Sequence, residues 1–80
     1  MNDVLSFDDF ARYLQEELEV VDTLSAQTRF SEDLECDSIM VLEVVLIIED
    51  TGVELSESMI EQMATVGDAY RVYLAAAQAA

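Results

Sequence analysis

Large apolar side chains recur at three- and four-residue steps near the start of the chain. The residues at these steps are Phe7, Phe10, Leu14 and Leu18. This spacing places all of them on one face of a helix. Ser6, followed three residues later by Asp9, is an acidic variant of the capping box that opens helices. The pattern predicts a first helix from about Phe7 to about Val20.

An almost continuous apolar run lies between Asp37 and Gly52. Asp37 is a good N-cap, and Gly52 is a good left-handed stop. The β-branched residues of the run also fit a buried strand, but the run is longer than a typical strand. We therefore interpret it as a central helix.

Two further helices are predicted in the second half of the chain. Thr65 and Asp68 form a capping box that opens a helix, whose apolar residues are Val66, Ala69, Tyr70 and Tyr73. Between Ser56 and Met63 there is room for a short helix, with Met59, Ile60 and Met63 as its anchors. Residues 75–80 favour helix but have little to bury, so we expect a frayed tail. The remaining segment, residues 21–37, is a long loop of the kind that is often functional.

Length and charge restrict the class of protein. The chain has 80 residues, which allows a single domain over residues 1–80. It has 18 acidic side chains against three arginines, with no lysine or histidine, and a net charge of −15. We expect no nucleic-acid partner, because there is no basic footprint for phosphate contacts. With 52% hydrophobic residues, a packed core is still expected.

The same composition argues against several functional classes. Without histidine there is no ordinary general base near neutral pH and no imidazole ligand for a metal, so we expect no enzyme. A calcium loop counted from Asp33 fails, since its sixth position is Ser38 where glycine is needed and its twelfth is Val44. We expect no metal site, and no membrane partner because the longest apolar run is too short to span a bilayer. The absence of a basic start indicates no signal peptide. A single cysteine, Cys36, fits a reducing, cytoplasmic setting. We interpret Cys36 as a packing residue or an incidental thiol.

Ser38 is the candidate attachment point. It would occupy the first position of the central helix, facing solvent, directly after the Asp37 cap. A phosphate esterified to its hydroxyl would lie against the N–H groups of the helix start, where the helix dipole favours negative charge. Taken alone, an Asp-Ser pair more often does no more than open a helix.

The stretch D-L-E-C-D-S-I-M-V-L-E, from Asp33 to Glu43, resembles the signature of acyl carrier proteins. The resemblance continues in I-E-D-T-G-V-E-L (48–55) and A-T-V-G-D-A (64–69). It implies an all-α, four-helix bundle with a long loop between helices one and two and a short third helix. It also implies that the serine of the triplet Asp37-Ser38-Ile39 carries a 4′-phosphopantetheine arm taken covalently from coenzyme A, on which an acyl or aminoacyl group is held as a thioester.

Two departures from the family pattern indicate a specialised carrier. Glu35 stands where glycine is common, which predicts either a loop without a positive φ there or some strain. Thr51-Gly52 stands where an aromatic residue is usual. Fatty-acid, polyketide and amino-acid pathways all use this architecture, and we expect a polyketide or other secondary-metabolite pathway.

The central helix also predicts a docking face. At 100° per residue, Ile39, Glu43, Leu46 and Asp50 share one sector. Val41, Val44, Val45 and Ile48 should face the core, with Leu42 at its edge. Met40 and Ile47 lie at the boundary, where a helix that is apolar nearly all round is an equally good interpretation. The predicted docking residues are Ile39, Met40, Glu43, Leu46, Ile47, Glu49, Asp50, Glu57 and Glu61.

These residues predict partners with basic surfaces. The carboxylates would steer such partners toward Ser38, although any single carboxylate is more often only solvated surface. The resemblance implies a phosphopantetheinyl transferase, together with acyltransferase, ligase or ketosynthase-type enzymes, acting on a monomer. The alternative is an acidic interaction module without a prosthetic group, such as a nucleic-acid mimic or an inhibitor of a basic protein.

Overall fold

A computed structural model describes residues 4–21, 23–35 and 37–79, apart from the side chains of residues 38 and 79. Cys36 lies outside the described residues, and so does the expectation for it. Within them lie four helices: α1 (Phe7–Leu18), α2 (Ser38–Glu49), α3 (Glu57–Glu61) and α4 (Val66–Ala79). The described chain has no strand beyond one antiparallel bridge between Arg29 and Thr65. The predicted all-α architecture is confirmed, with its long first loop and short third helix.

Helix α1 begins at the predicted cap and ends earlier than predicted. The Ser6 hydroxyl accepts the N–H of Asp9 at 3.2 Å. The expected end at Val20 is wrong, because Glu19 adopts a left-handed conformation with φ 56°. The N–H groups of Glu19 and Val20 bond back to the carbonyls of the last turn, at 3.2 and 3.1 Å. This is a glycine-type helix end made without glycine, which the sequence pattern did not reveal.

Helix α2 begins at the predicted cap and is followed by the predicted glycine stop. A carboxylate oxygen of Asp37 accepts the N–H of Met40 at 2.9 Å. After Glu49 the chain turns, and Gly52 has φ +107°, as expected of a glycine stop. The Thr51 hydroxyl donates to the carbonyl of Ile48 at 2.6 Å and covers one of the last helical carbonyls.

The core lies where α1, α2 and α4 meet. Its most buried large side chains are Phe10, Leu14, Val44, Ile48 and Val66, each at most 1% exposed. The Phe10 ring stacks on Tyr73 with centroids 5.3 Å apart, and Phe7 meets the edge of Tyr70 at 5.4 Å. Val45 is buried as predicted, whereas Val41 is only half-buried. The predicted apolar faces of α1 and α2 thus form one common core.

The long loop is fixed to the start of α4. Its side chains Leu24 and Phe30 are buried in the core. The N–H groups of Val66 and Gly67 donate to the loop carbonyls of Thr28 and Ala26, at 2.9 and 3.0 Å. Because the first N–H groups of a helix have no partner within the helix, the loop supplies what α4 lacks. The segment ahead of α2 is therefore part of the packed structure.

Two expectations about the second half of the chain are met only in part, and the fraying of residues 75–80 stays a prediction. Residues 75–80 were expected to have little to bury, but α4 continues to Ala79 and Ala76 is buried. The methyl group of Ala76 is small enough to be buried against its neighbours in the core. Met59, Ile60 and Met63 were expected to anchor α3; all three are half-buried and Met63 packs against the core, but no residue within α3 is fully buried. A helix of five residues has too little surface to bury one face completely.

The predicted capping box of α4 is complete. The N–H of Asp68 donates to the Thr65 hydroxyl at 3.0 Å, and the Asp68 carboxylate accepts the N–H of Thr65 at 3.2 Å. Both bonds of the reciprocal motif are present. Among the described residues, no helix has the length and apolar character needed to cross a bilayer.

Candidate functional site

The start of α2 stands at the surface of the bundle. Ser38 is the first helical residue, directly after the Asp37 cap, as predicted. Its side chain, with the expectation that it faces solvent, lies outside the described part of the structure. The residues on either side, Asp37 and Ile39, are both exposed. An exposed helix start fits an esterified phosphate, since it offers room and the positive end of the helix dipole.

The loop enters this helix through a strained residue. Glu35 has φ +51°, in the left-handed region. Of the two expectations for this position, the absence of a positive φ is wrong and strain is correct. A side chain with a Cβ costs about 1–2 kcal/mol in this conformation. The glycine-type path is therefore kept without the glycine, and the surrounding structure must impose it.

A closed turn precedes Glu35. The carbonyl of Arg29 accepts the N–H groups of Asp33 and Leu34, at 2.9 and 3.2 Å. The Asp33 carboxylate accepts the N–H of Arg29 at 2.8 Å. The Arg29 guanidinium pairs with Glu32 at 2.8 Å, but both side chains are exposed and such pairs add little. The side-chain bond runs from Asp33 back to a residue four positions earlier, and the sequence pattern did not reveal this closure.

The outer face of α2 carries exposed apolar side chains along its length. Ile39, Leu42 and Leu46 are 66%, 61% and 64% exposed. Leu42, which was expected at the edge of the core, lies fully on this face. Leu42 is four residues before Leu46 and three after Ile39, so it lies beside both on the helix surface, but on the helical wheel it stands between this face and the core sector. Met40 and Ile47 are half-buried and pack against the core, which matches a boundary position.

The acidic residues predicted for docking separate into two groups. Glu43 and Asp50 are exposed and lie on the outer face of α2, while Glu57 and Glu61 are exposed on α3. Glu49 is half-buried, and its carboxylate accepts the N–H of Leu55 at 3.2 Å. Glu49 therefore holds the connection after α2, and the outer face is formed without it.

One titrating group near this face is perturbed. The Tyr13 hydroxyl on α1 donates to the Asp50 carboxylate at 3.3 Å. Partial desolvation raises the pKa of Tyr13, and the negative charge of Asp50 and its hydrogen bond raise it further. Asp50 thus links the end of the outer face to α1.

Other features of the surface do not coincide with the predicted site. A groove of about 480 Å³ lies between α3 and α4, lined in part by Met59, Arg71 and Val72. It contains none of the predicted attachment or docking residues. Across the residues described, no three acidic or thiol side chains come together as a set that could hold a metal ion.

Comparisons with known proteins agree with this geometry. Residues 8–72 match the phosphopantetheine attachment site family. The chain is 37% identical over 67 residues to the acyl carrier protein of Sulfurovum sp. strain NBC37-1, covering 81% of this chain and 89% of that one. It is 36% identical over 67 residues to the acyl carrier protein of Wolinella succinogenes, covering 81% and 88%. It also superposes on the solution structure of the acetyl actinorhodin acyl carrier protein from Streptomyces coelicolor, with a TM-score of 0.71, 25% identity and 100% of both chains covered.

Proposed function

This chain belongs to the acyl carrier protein family, with covalently bound 4′-phosphopantetheine as its prosthetic group, and from that premise we propose that Ser38 is the attachment residue. The observation that carries the proposal is the place of Ser38 as first residue of α2, between exposed neighbours and directly after its cap. The match to the attachment-site family spans this position.

In the attachment reaction the chain itself supplies only the nucleophile and its position. Ser38 supplies a hydroxyl oxygen; its proton leaves as the phosphoester bond forms, and the nucleotide part of coenzyme A departs as the diphosphate bond breaks. A separate phosphopantetheinyl transferase performs this step. When bound, the group supplies a terminal thiol that holds an acyl group as a thioester. Asp37 fixes the helix start by accepting the N–H of Met40.

Intact mass measurement tests the attachment residue. The apo protein is incubated with coenzyme A, Mg²⁺ and a permissive phosphopantetheinyl transferase. We expect wild type and Ser31→Ala, a control at an exposed loop serine, to gain one phosphopantetheine group, and Ser38→Ala to gain none. A wild type that gains nothing, or a Ser38→Ala variant that is still modified, overturns the proposal.

The outer face of α2 is the proposed docking surface. Partner enzymes with a basic surface would contact Ile39, Leu42 and Leu46, with Glu43 and Asp50 beside them. Exposed apolar groups rimmed by charge are typical of partner sites. The half-buried Met40 and Ile47 support the face from beneath, and Glu57 and Glu61 add to the negative field. With a net charge of −15, steering should speed encounter with basic enzymes more than it deepens affinity.

The proposal extends to the partner enzymes and to the cellular setting. Acyltransferase, ligase or ketosynthase-type enzymes would load, modify and unload the thioester on a monomeric, cytoplasmic carrier. The alternative of an acidic module without a prosthetic group gives no account of the attachment-site match over residues 8–72, and we set it aside.

We place the carrier in a polyketide or other secondary-metabolite pathway. The support is the departures at Glu35 and Thr51-Gly52, together with the likeness to the actinorhodin carrier. Release of the thioester-bound group from protein purified from its native source, followed by mass measurement, tests the pathway. A polyketide or aminoacyl group agrees with the proposal, and a plain fatty acyl series contradicts it.

A further inference from the structure

The turn ahead of α2 is closed from both ends. Asp33 donates its N–H to the carbonyl of Arg29 and accepts the N–H of Arg29 with its carboxylate, at 2.9 and 2.8 Å. Such reciprocal bonding fixes five consecutive residues relative to one another. A hydrogen bond to a charged acceptor is stronger than one between neutral groups. With the N–H of Leu34, which also donates to the Arg29 carbonyl, three bonds close the turn, and the Asp33 side chain supplies one of them.

The turn is also fixed to the bundle. Phe30, within the turn, is 4% exposed, and its N–H donates to the carbonyl of Ala64 at 3.1 Å. Leu34 packs against the core from the other end of the turn. The next residue, Glu35, then begins its path toward α2 from a defined position.

Glu35 needs this support. Its φ of +51° is unfavourable for a residue with a Cβ, so the residues around it must hold it there. Only Cys36 separates Glu35 from the Asp37 cap in the sequence. A change of conformation at residue 35 would therefore be passed directly to the cap and to residue 38.

We propose that Asp33 is a positioning residue for the modification of Ser38: its carboxylate closes the turn that holds Glu35 in the left-handed conformation and thereby presents the start of α2 to the transferase. The inference rests on the proposed attachment at Ser38. Asp33 acts through the backbone and touches no reacting atom. If only a fraction of the carrier molecules have the conformation that the transferase binds, the apparent affinity of the transferase is lowered by that fraction. We therefore expect the substitution to raise KM.

Two substitutions of Asp33 distinguish the effect of its hydrogen bond from the effect of its negative charge. Asp33→Asn removes the charge but keeps a side-chain oxygen that can accept the N–H of Arg29. Asp33→Ala removes both. Glu32→Ala is the matched control, since Glu32 carries a charge on the same turn and its carboxylate accepts from the exposed guanidinium of Arg29.

The experiment measures KM and kcat of the apo carrier with the transferase, well below the melting temperature of each variant. Asp33→Ala should raise KM by about threefold to tenfold with kcat within about twofold, whereas Asp33→Asn and Glu32→Ala should stay within about twofold of wild type. In a Glu35→Gly background, where a positive φ costs nothing, Asp33→Ala should change KM by less than about twofold. A purely structural role would move the melting temperature without moving KM at this temperature.

Amide hydrogen exchange gives a second readout that needs no transferase. The N–H of Met40, which is bonded to Asp37, should exchange faster in Asp33→Ala and at the wild-type rate in Asp33→Asn. Unchanged KM and unchanged exchange in Asp33→Ala overturn the inference, and so does an Asp33→Asn variant as impaired as Asp33→Ala. If the wild type gains no mass while Met40 exchange responds as expected, the attachment proposal fails and the coupling between turn and helix start stands.

Discussion

The N–H of Leu5 donates a hydrogen bond of 2.9 Å to the hydroxyl of Tyr73, 68 residues further along the chain. The carbonyl of the same residue accepts the hydroxyl of Tyr70 at 2.9 Å. Two tyrosines of α4 thus hold both backbone polar groups of Leu5, the residue before the Ser6 cap of α1. These contacts join the two ends of the chain over the aromatic part of the core.

Tyr73→Phe tests this connection. The ring and its packing remain, but the part-buried N–H of Leu5 loses its acceptor, which should lower the free energy of unfolding by about 1–2 kcal/mol. Urea denaturation followed by circular dichroism measures the change. Tyr13→Phe is the control, because its hydroxyl bond is exposed and its loss should cost less than about 0.5 kcal/mol. Equal losses in the two variants would show that the bond to Leu5 contributes no more to stability than an exposed hydroxyl bond.

Leu42 and Leu46 should control partner binding without supporting the fold. Both are more than 60% exposed, so Leu42→Asp and Leu46→Asp should leave the melting temperature nearly unchanged. If α2 docks through this face, each should lower kcat/KM with the transferase by about tenfold. Val21→Asp is a matched control, since Val21 is 93% exposed and lies outside α2. A similar loss in all three variants would indicate added charge as the cause and contradict docking through the apolar face.

Gly67→Ala should destabilise the contact between the loop and α4. A Cβ at residue 67 would stand 2.7 Å from the carbonyl oxygen of Ala26, and backbone must move to relieve the overlap. We expect a loss of about 1–3 kcal/mol in the free energy of unfolding, measured by calorimetry. Gly52→Ala is the comparison: a Cβ there meets nothing within 4 Å, so only its positive φ is penalised. A Gly67→Ala variant as stable as wild type would mean that the loop can withdraw from α4 at no cost.

The raised pKa of Tyr13 predicts a stability change in alkaline solution. Because the folded state favours the protonated phenol, its contribution is complete below the ordinary tyrosine pKa of about 10 and is lost as pH rises through the higher folded pKa. NMR titration of the tyrosine ring carbons should give Tyr13 a higher pKa in wild type than in Asp50→Asn. No difference between the two proteins would exclude Asp50 as a cause.

Local sequence was enough to predict the helix starts. Ser6, Asp37 and Thr65 each bond an N–H within the next three residues, so the signal and its partner lie within one turn of helix. The opposite faces of α2 were also predictable from periodicity alone, except at Val41, which is half-buried, and at Leu42, which is exposed. Leu42 lies near the edge of the apolar sector on the helical wheel, so its exposure depends on how far the neighbouring helices cover α2.

The amino-acid sequence by itself determined the helices, the acidity, the Asp37-Ser38-Ile39 triplet at a helix start and the family to which the chain belongs, because these depend on neighbours along the chain. Only the tertiary structure decided that Glu35 takes a left-handed conformation, that the loop bonds the start of α4, and that Ala76 is buried. Each of these depends on groups distant in sequence, such as Ala64 for Phe30 and Ala26 for Gly67, whose positions are fixed when the whole core packs.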